Sequence, residues 1–341
     1  MAVRMTRMLT YGDIDRTEWR HLVLRSATGT WFQSPEAYAF YASLPALLQP
    51  FVLAVETDGR LRGVCVGYVT LDSNPLRQFF TRRAIILGGP CLADDATPAE
   101  AESLLSNVKC KLKSEISPIF IESRNFNDYS PWREAFRRAG FAYRPHLNYH
   151  VATDGFEARL SDNRKRQLRK VSTDGLVTCT TAVSEAEIIE WYGVLSVLYR
   201  TKVRTPLFPV DFFLTAFRQG VGRFLLVKFS GRVIGGSMVV SDGKCVYEWF
   251  ECGLKTRFRE QYPSVMATFA GIQLAQQTAC ARYDMMGAGE PGVPYGVRDF
   301  KSEFGGTLVE HGRFLHIAHP FLYRLGALAV RLLKGTAQRP N

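Results

Sequence analysis

FVLAVETDGRLRGVCVGYVT (Phe51–Thr70) and FLLVKFSGRVIGGSMVV (Phe224–Val240) follow one plan. Each alternates apolar residues, turns at Asp58-Gly59 or Ser230-Gly231, and resumes as a second strand. Both carry Gly-Arg-apolar-x-Gly, at Gly59–Gly63 and Gly231–Gly235. After the first hairpin come a strand (RAIILGG), a helix from Pro98 to Ser114, a strand (PIFIES), a short helix (SPWREAFRRAG) and a strand starting at Phe141. After the second come KCVYEWFEC, a helix from Pro263 to Cys280, the strand RYDMMG, the helix GVRDFKSEFGG and the strand TLVEHGRFLHI. The shared order predicts a duplication, each half an α/β unit in which helices pack against a hairpin-rich sheet. The expected domains are residues 1–152 and 153–319, followed by an amphipathic basic helix and tail at 320–341.

The composition suits two globular domains. The 341 residues are 46% hydrophobic, 12% aromatic and 22% charged, enough to bury a core in each half. The net charge of +11 points to an anionic partner: nucleic acid, anionic lipid or a phosphorylated substrate. Seven cysteines lie scattered without C-x-x-C or histidine pairing, so they read as reduced thiols and no metal site is expected. The N-terminal stretch lacks a signal-peptide pattern, which predicts a cytoplasmic chain. Near the other end PFLYRLGALAVRLLKGTAQR is interrupted by Arg324 and Arg331 too soon for a membrane span. It reads as a final helix packed on the core or resting on the inner face of an anionic membrane.

Between the halves lies the most basic segment, ARLSDNRKRQLRKVSTDGLV. Ser161 or Asp162 can cap a helix that carries Arg164, Lys165, Arg166, Arg169 and Lys170. Like charges at helical spacing repel, so the cluster is either a solvated face or an anion-binding arm. Arg200, Lys202 and Arg204 form a second basic patch, and LKTRFRE a third. In YGVRDFKSEFGG (Tyr295–Gly306), Val297, Phe300 and Phe304 fall on one helical face, with Gly305 placed to end the helix. Lys301 lies beside that stripe, and either runs along the surface or points into a cleft.

Taken together, the two-fold repeat, the basic joint, the second hairpin, QYPSVMATFAGIQLAQQ…RYDMMG and the DFKSEFGG ending resemble the Fem family of bacterial non-ribosomal aminoacyltransferases. The resemblance runs from about TWFQSPEAY to FLHI, and Phe-Lys-x-x-Phe-Gly is its most specific part. It implies an α/β (α+β) chain of two tandem GCN5-related N-acetyltransferase-like domains. It further implies transfer of an aminoacyl group from aminoacyl-tRNA to an amine of a peptidoglycan precursor, with no bound cofactor. In family members the Phe-Lys pair lies where the acyl donor reacts, a role that falls here on Phe300 and Lys301. The long heptad-patterned hairpin that some members insert in the second domain is absent from this sequence.

Such a transfer needs orientation and stabilisation of an oxyanion more than covalent help. An ammonium among phenyl groups suits that task, so Lys301, with its stem held by Phe300 and Phe304, is the leading candidate. For a base the candidates are Asp284, Glu248, Glu251, Asp299 and His146. Asp284, at a strand end, is the first choice, set against an ordinary role as a turn residue. Arg164, Lys165, Arg166, Arg169, Arg204 and Phe304 are the expected substrate contacts. Neither ECGLKTRFREQYPSV nor GGPCLADDATPAE offers closely spaced glycines for a pyrophosphate, although the arginines of LKTRFR can take their place. The alternatives are an N-acyltransferase that uses acyl-CoA or acyl carrier protein on an envelope sugar, and a non-catalytic polyanion-binding protein of the same fold.

Overall fold

The computed structural model of the chain describes residues 5–203 and 206–335. It divides into two units, Met1–Arg144 with His311–Asn341, and Pro145–Glu310. The first runs β1 (Thr6–Leu9), α1 (Arg16–Arg25), α2 (Pro35–Ala42), β2 (Leu48–Thr57), β3 (Arg60–Thr70), α3 (Pro75–Thr81), β4 (Arg83–Gly88), β5 (Cys91–Leu92), α4 (Pro98–Glu115), β6 (Phe120–Asn125), α5 (Arg133–Arg138) and β7 (Ala142–Arg144). The second runs β8 (Leu147–Ala152), α6 (Phe156–Arg159), α7 (Asp162–Asp174), β9 (Val177–Thr181), α8 (Glu185–Leu198), α9 (Val210–Arg218), β10 (Arg223–Phe229), β11 (Arg232–Ser241) and β12 (Cys245–Gly253). It continues with α10 (Pro263–Gln277), β13 (Arg282–Asp284), α11 (Gly296–Ser302) and β14 (Thr307–Glu310). The chain then adds β15 (Arg313–Ile317) and α12 (Pro320–Gly335) to the first unit.

Strand for strand, the two sheets follow one path. The first is ordered β1-β2-β3-β4-β6-β15-β7, with β5 beside β3; the second is β9-β10-β11-β12-β13-β8-β14. Each has a single parallel pair, β4–β6 and β12–β13, at the same place. The repeated Gly-Arg-apolar-x-Gly is explained by two requirements. Asp58-Gly59 and Ser230-Gly231 both hold positive φ, as the tight turn between right-twisted strands demands. The second glycine sits where each hairpin slips register by one residue, leaving Arg62 and Ile234 extra. A Cβ on Gly63 would come within 2.9 Å of Leu92, and one on Gly235 within 2.8 Å of the Cys252 carbonyl.

One expectation about the boundary differs. The segment from Phe141 divides at Pro145-His146 into β7 of the first sheet and β8 of the second, and TLVEHGRFLHI divides at His311-Gly312 into β14 and β15. The units therefore part at 144/145 rather than 152/153, and β15 returns to the first sheet beside β6. Burial is the reason. Phe314 of β15 stacks on Phe136 at 3.8 Å within the first core, together with Leu104, Leu105 and Val108 of α4. In the second unit Val151, Val246 and Tyr283 pack against Val265 and Ile272 of α10 and against Phe304. No disulfide joins any of the seven cysteines.

Candidate active site

The parallel pair of the second unit is short. Cys245–Tyr247 pairs with Arg282–Asp284, β13 then ends, and β12 continues to Gly253 with only β11 beside it. The two strands thus part. Within β12 a register shift leaves Trp249 extra, so Glu248 lies opposite Val239 and Glu251 opposite Ser237. Two carboxylates three residues apart, which would alternate on a regular strand, consequently share a face.

Glu248 is buried, and its Oε1 accepts hydrogen bonds from Thr268 Oγ1 at 2.8 Å and Tyr283 OH at 2.9 Å. Burial pushes its carboxyl up to about 7, with Lys301 opposing and Glu251 adding to the rise. Burial also raises the Glu251 carboxyl, against the pull of Lys255. Lys301 of α11 is 8% exposed, and its ammonium donates to the Met285 carbonyl and to the Gly287 carbonyl at 2.7 Å, just past the end of β13. Burial lowers its pKa, and Glu248, Asp284 and Glu251 work in the opposite sense. The result is a buried cluster of one ammonium and three carboxyl groups where the strands diverge.

Lys301 therefore points inward, but the phenyl rings do not hold it as expected. Lys301 is the buried residue of α11 and Phe304 is buried in the turn after it, while Val297 is exposed and Phe300 only partly covered. Phe300 and Phe304 stack edge to face at 5.3 Å and enclose Arg164 instead, whose guanidinium carbon lies 4.6 Å and 5.0 Å from their centroids. Lys255 covers Phe300 as well, at 4.4 Å. Gly305 ends the helix at φ +70°, where a Cβ would stand 2.4 Å from the Arg159 carbonyl.

Arg164, expected to contact substrate, is 4% exposed and committed to the fold. It donates to Gln167 Oε1 at 2.6 Å and to the Phe300 carbonyl at 3.2 Å, and lies 3.6 Å from Glu303. Burial lowers its pKa although Glu303 opposes this. The helix that carries it starts where expected, Ser161 Oγ accepting the Arg164 N–H at 3.1 Å. Arg166 and Arg169 remain exposed, and Lys165 is half-buried with its ammonium on the Ala158 carbonyl at 2.8 Å. Arg204 lies outside the described residues.

Asp284 serves the turn after β13. Its Oδ1 accepts the Met286 N–H at 2.8 Å and Asn148 Nδ2 at 2.7 Å, and its Oδ2 stands 3.1 Å from His150 Nε2. Although burial works to raise it, His150 and Arg282 hold the Asp284 carboxyl below the usual range. Asp299 is exposed, and His146 lies beside the Gly287 loop, 3.6 Å from where a Gly287 Cβ would be. Thr268, Tyr283, Asn148 and His150 were not singled out from the sequence. The only signal for the last two is their i, i+2 spacing on one face of β8.

The glycines sought at the start of α10 come from neighbouring strands. Gly235 and Gly253 are cross-strand partners, and a Cβ on them would meet Pro263 at 3.0 Å and Ser264 Oγ at 2.5 Å. No side chain caps α10: Tyr262 precedes it in the left-handed region, and Lys255, Arg257 and Arg259 lie exposed in the loop before it. Uncapped helix N–H groups beside basic side chains are, in general, an arrangement that favours anions. Among the described residues, no group of three or more His, Cys, Asp or Glu side chains is arranged to hold a metal ion.

The family profile of the acetyltransferase (GNAT) domain matches residues 158–302, which include α7, the splayed strands and Lys301. The whole chain is similar to the crystal structure of FemX, with a TM-score of 0.70 at 13% identity over 94% of this chain and 99% of that one. It is also similar to a tandem GNAT protein from the clavulanic acid biosynthesis pathway, with a TM-score of 0.58 at 12% identity over 93% and 99%. A third is L-PGS from Bacillus licheniformis, with a TM-score of 0.55 at 13% identity over 88% and 97%. No curated protein matches the sequence. The fold is thus a tandem GNAT fold like that of FemX, and the stretch that matches the acetyltransferase (GNAT) domain lies in the second unit.

Proposed function

We propose that this chain transfers an aminoacyl group from aminoacyl-tRNA to an amine of a cell-envelope peptidoglycan precursor, at the splay between β12 and β13. The observation that carries this reading is the buried Lys301–Glu248–Glu251 cluster at the point where the parallel strands part. The acceptor amine attacks the ester carbonyl, an oxyanion forms, and the C–O bond to the ribose breaks as that oxygen takes a proton. Two of the three Lys301 donors are spent on Met285 and Gly287, which fix the ammonium in place. The third is assigned to the oxyanion, whose charge develops at a site withdrawn from water. Glu248, poised near neutrality and anchored by two hydroxyls, is assigned the proton of the attacking amine. Exposed Arg166 and Arg169, with the loop arginines 257 and 259, supply positive charge for a polynucleotide backbone.

The uncapped α10 start, with Gly235 and Gly253 against it, favours a second reading in which the donor is an acyl-CoA held by its pyrophosphate and the acceptor an envelope sugar amine. Purified protein incubated with labelled aminoacyl-tRNA, and separately with labelled acyl-CoA, in the presence of envelope precursors distinguishes the two. Label from the tRNA should reach the precursor. Transfer from acyl-CoA alone selects the second reading, and transfer from neither overturns both.

A further inference from the structure

Two helices of the first unit have no counterpart in the repeat. The second sheet joins β11 to β12 through Asp242-Gly243-Lys244, whereas the first spends Leu71–Arg82 on the equivalent connection and builds α3 from it. The other is α12, which follows β15 and packs beside α3, with its Tyr323 ring 5.6 Å from Phe120 of β6. None of the α3 residues is buried, and three of them, Leu76, Phe79 and Phe80, are exposed apolar residues on one face. On α12, Phe321, Leu325 and Leu328 are exposed at i, i+4 and i+7, Phe321 at 77%. A helix whose large side chains face solvent gains nothing for its own fold from them.

Charge identifies what covers this face. Arg77, Arg82 and Arg324 border the exposed side chains, and Arg82 lies over the Phe79 ring at 4.9 Å. Within Leu71–Arg82 the one acidic residue is Asp72, which is paired with Arg77 at 3.3 Å, and Pro320–Gly335 contains no Asp or Glu. Apolar side chains rimmed by arginine match the interfacial region of an anionic bilayer, with acyl chains beneath a negative headgroup layer. No described helix is long and apolar enough to cross a membrane, so this surface is suited to lying on one. We propose that α3 and α12 together dock the first unit on an anionic lipid leaflet, with Phe79, Phe80, Phe321 and Leu325 entering the interface.

The full chain should co-sediment with phosphatidylcholine vesicles containing phosphatidylglycerol and stay in solution with phosphatidylcholine alone. Phe79→Ser with Phe80→Ser, and Phe321→Ser with Leu325→Ser, should each weaken binding about tenfold or more. Arg77→Gln with Arg82→Gln should weaken it less and flatten its salt dependence. A chain that ignores anionic vesicles overturns the proposal. So do serine variants that bind as the parent does, or that change only the oligomeric state, which assigns the face to a second copy. All these substitutions lie away from Lys301 and Glu248, so turnover with a water-soluble acceptor should be unchanged. The docking surface and the proposed chemistry therefore fail independently.

Discussion

Four residues before the glycine that ends its helix, the second unit places Lys301 and the first places Phe136. Phe136 is fully buried between Phe314 and Phe141 in an aromatic core. The strands nearby differ in the same sense. β4 and β6 stay paired through six residues, Arg83–Gly88 with Phe120–Asn125, while β12 and β13 separate after three. Beyond the end of β4, Tyr129 OH donates to the Gly88 and Pro90 carbonyls at 2.9 and 2.8 Å, and its ring leaves no room for a Cβ on Gly89. One copy of the fold has been closed by aromatic packing and the other kept open around buried charge. On the proposed function the duplication separates stability from chemistry, a division that each of the following measurements is able to break.

The largest expected effect is at Lys301. Lys301→Met should lower kcat by about 10²–10³ through loss of an oxyanion donor. It should also cost about 1–3 kcal/mol of stability in urea denaturation, because the Met285 and Gly287 carbonyls lose their donor. Full turnover in this variant would move the chemistry away from the splay. Arg164→Met should come next, destabilising by about 3 kcal/mol because Glu303 and the Phe300 carbonyl lose a buried partner. Arg166→Gln with Arg169→Gln should leave stability within about 0.5 kcal/mol and instead reduce tRNA affinity and its salt slope. Equal melting temperatures for the Arg164 and Arg166 variants would return the whole cluster to the surface.

In the first unit, Tyr129→Phe should cost about 1–2 kcal/mol and leave kcat intact, since it removes hydrogen bonds only from the closed copy. A fall in turnover beyond that explained by unfolding would place the reaction in the wrong half. A further expected effect is a pH dependence. Glu248 has a folded pKa of about 7, above the unfolded carboxyl value of about 4.3, so the folded state binds its proton more tightly. Its contribution is present below the unfolded value and is lost as pH rises through about 7. Glu248→Gln should therefore lose less stability than the parent between about pH 5 and about pH 8, as compared by chemical denaturation. Parallel curves would mean that Glu248 stays ionised throughout.

Several features of this protein are legible in the sequence alone. Hairpins, turns and helix caps are local, so Asp58-Gly59, Ser230-Gly231 and Ser161 could be read directly, and their repetition revealed the duplicated α/β plan. The short helix that carries Lys301 is legible too. Other features depended on residues distant in sequence. Two apparently continuous strands divide between sheets because β6 of one unit and β13 of the other each need a partner, a choice no local alternation encodes. Arg164 reads as one charge in a basic run, but tertiary packing closes Phe300 and Phe304 over it and gives its donors a carbonyl and an amide. Sequence by itself determined the repeat and the helix that carries the lysine, because periodicity and turn chemistry act over a few residues. Only the tertiary structure decided that the ammonium is buried on two carbonyls beside three carboxyl groups, because desolvation and charge pairing depend on what the fold brings near.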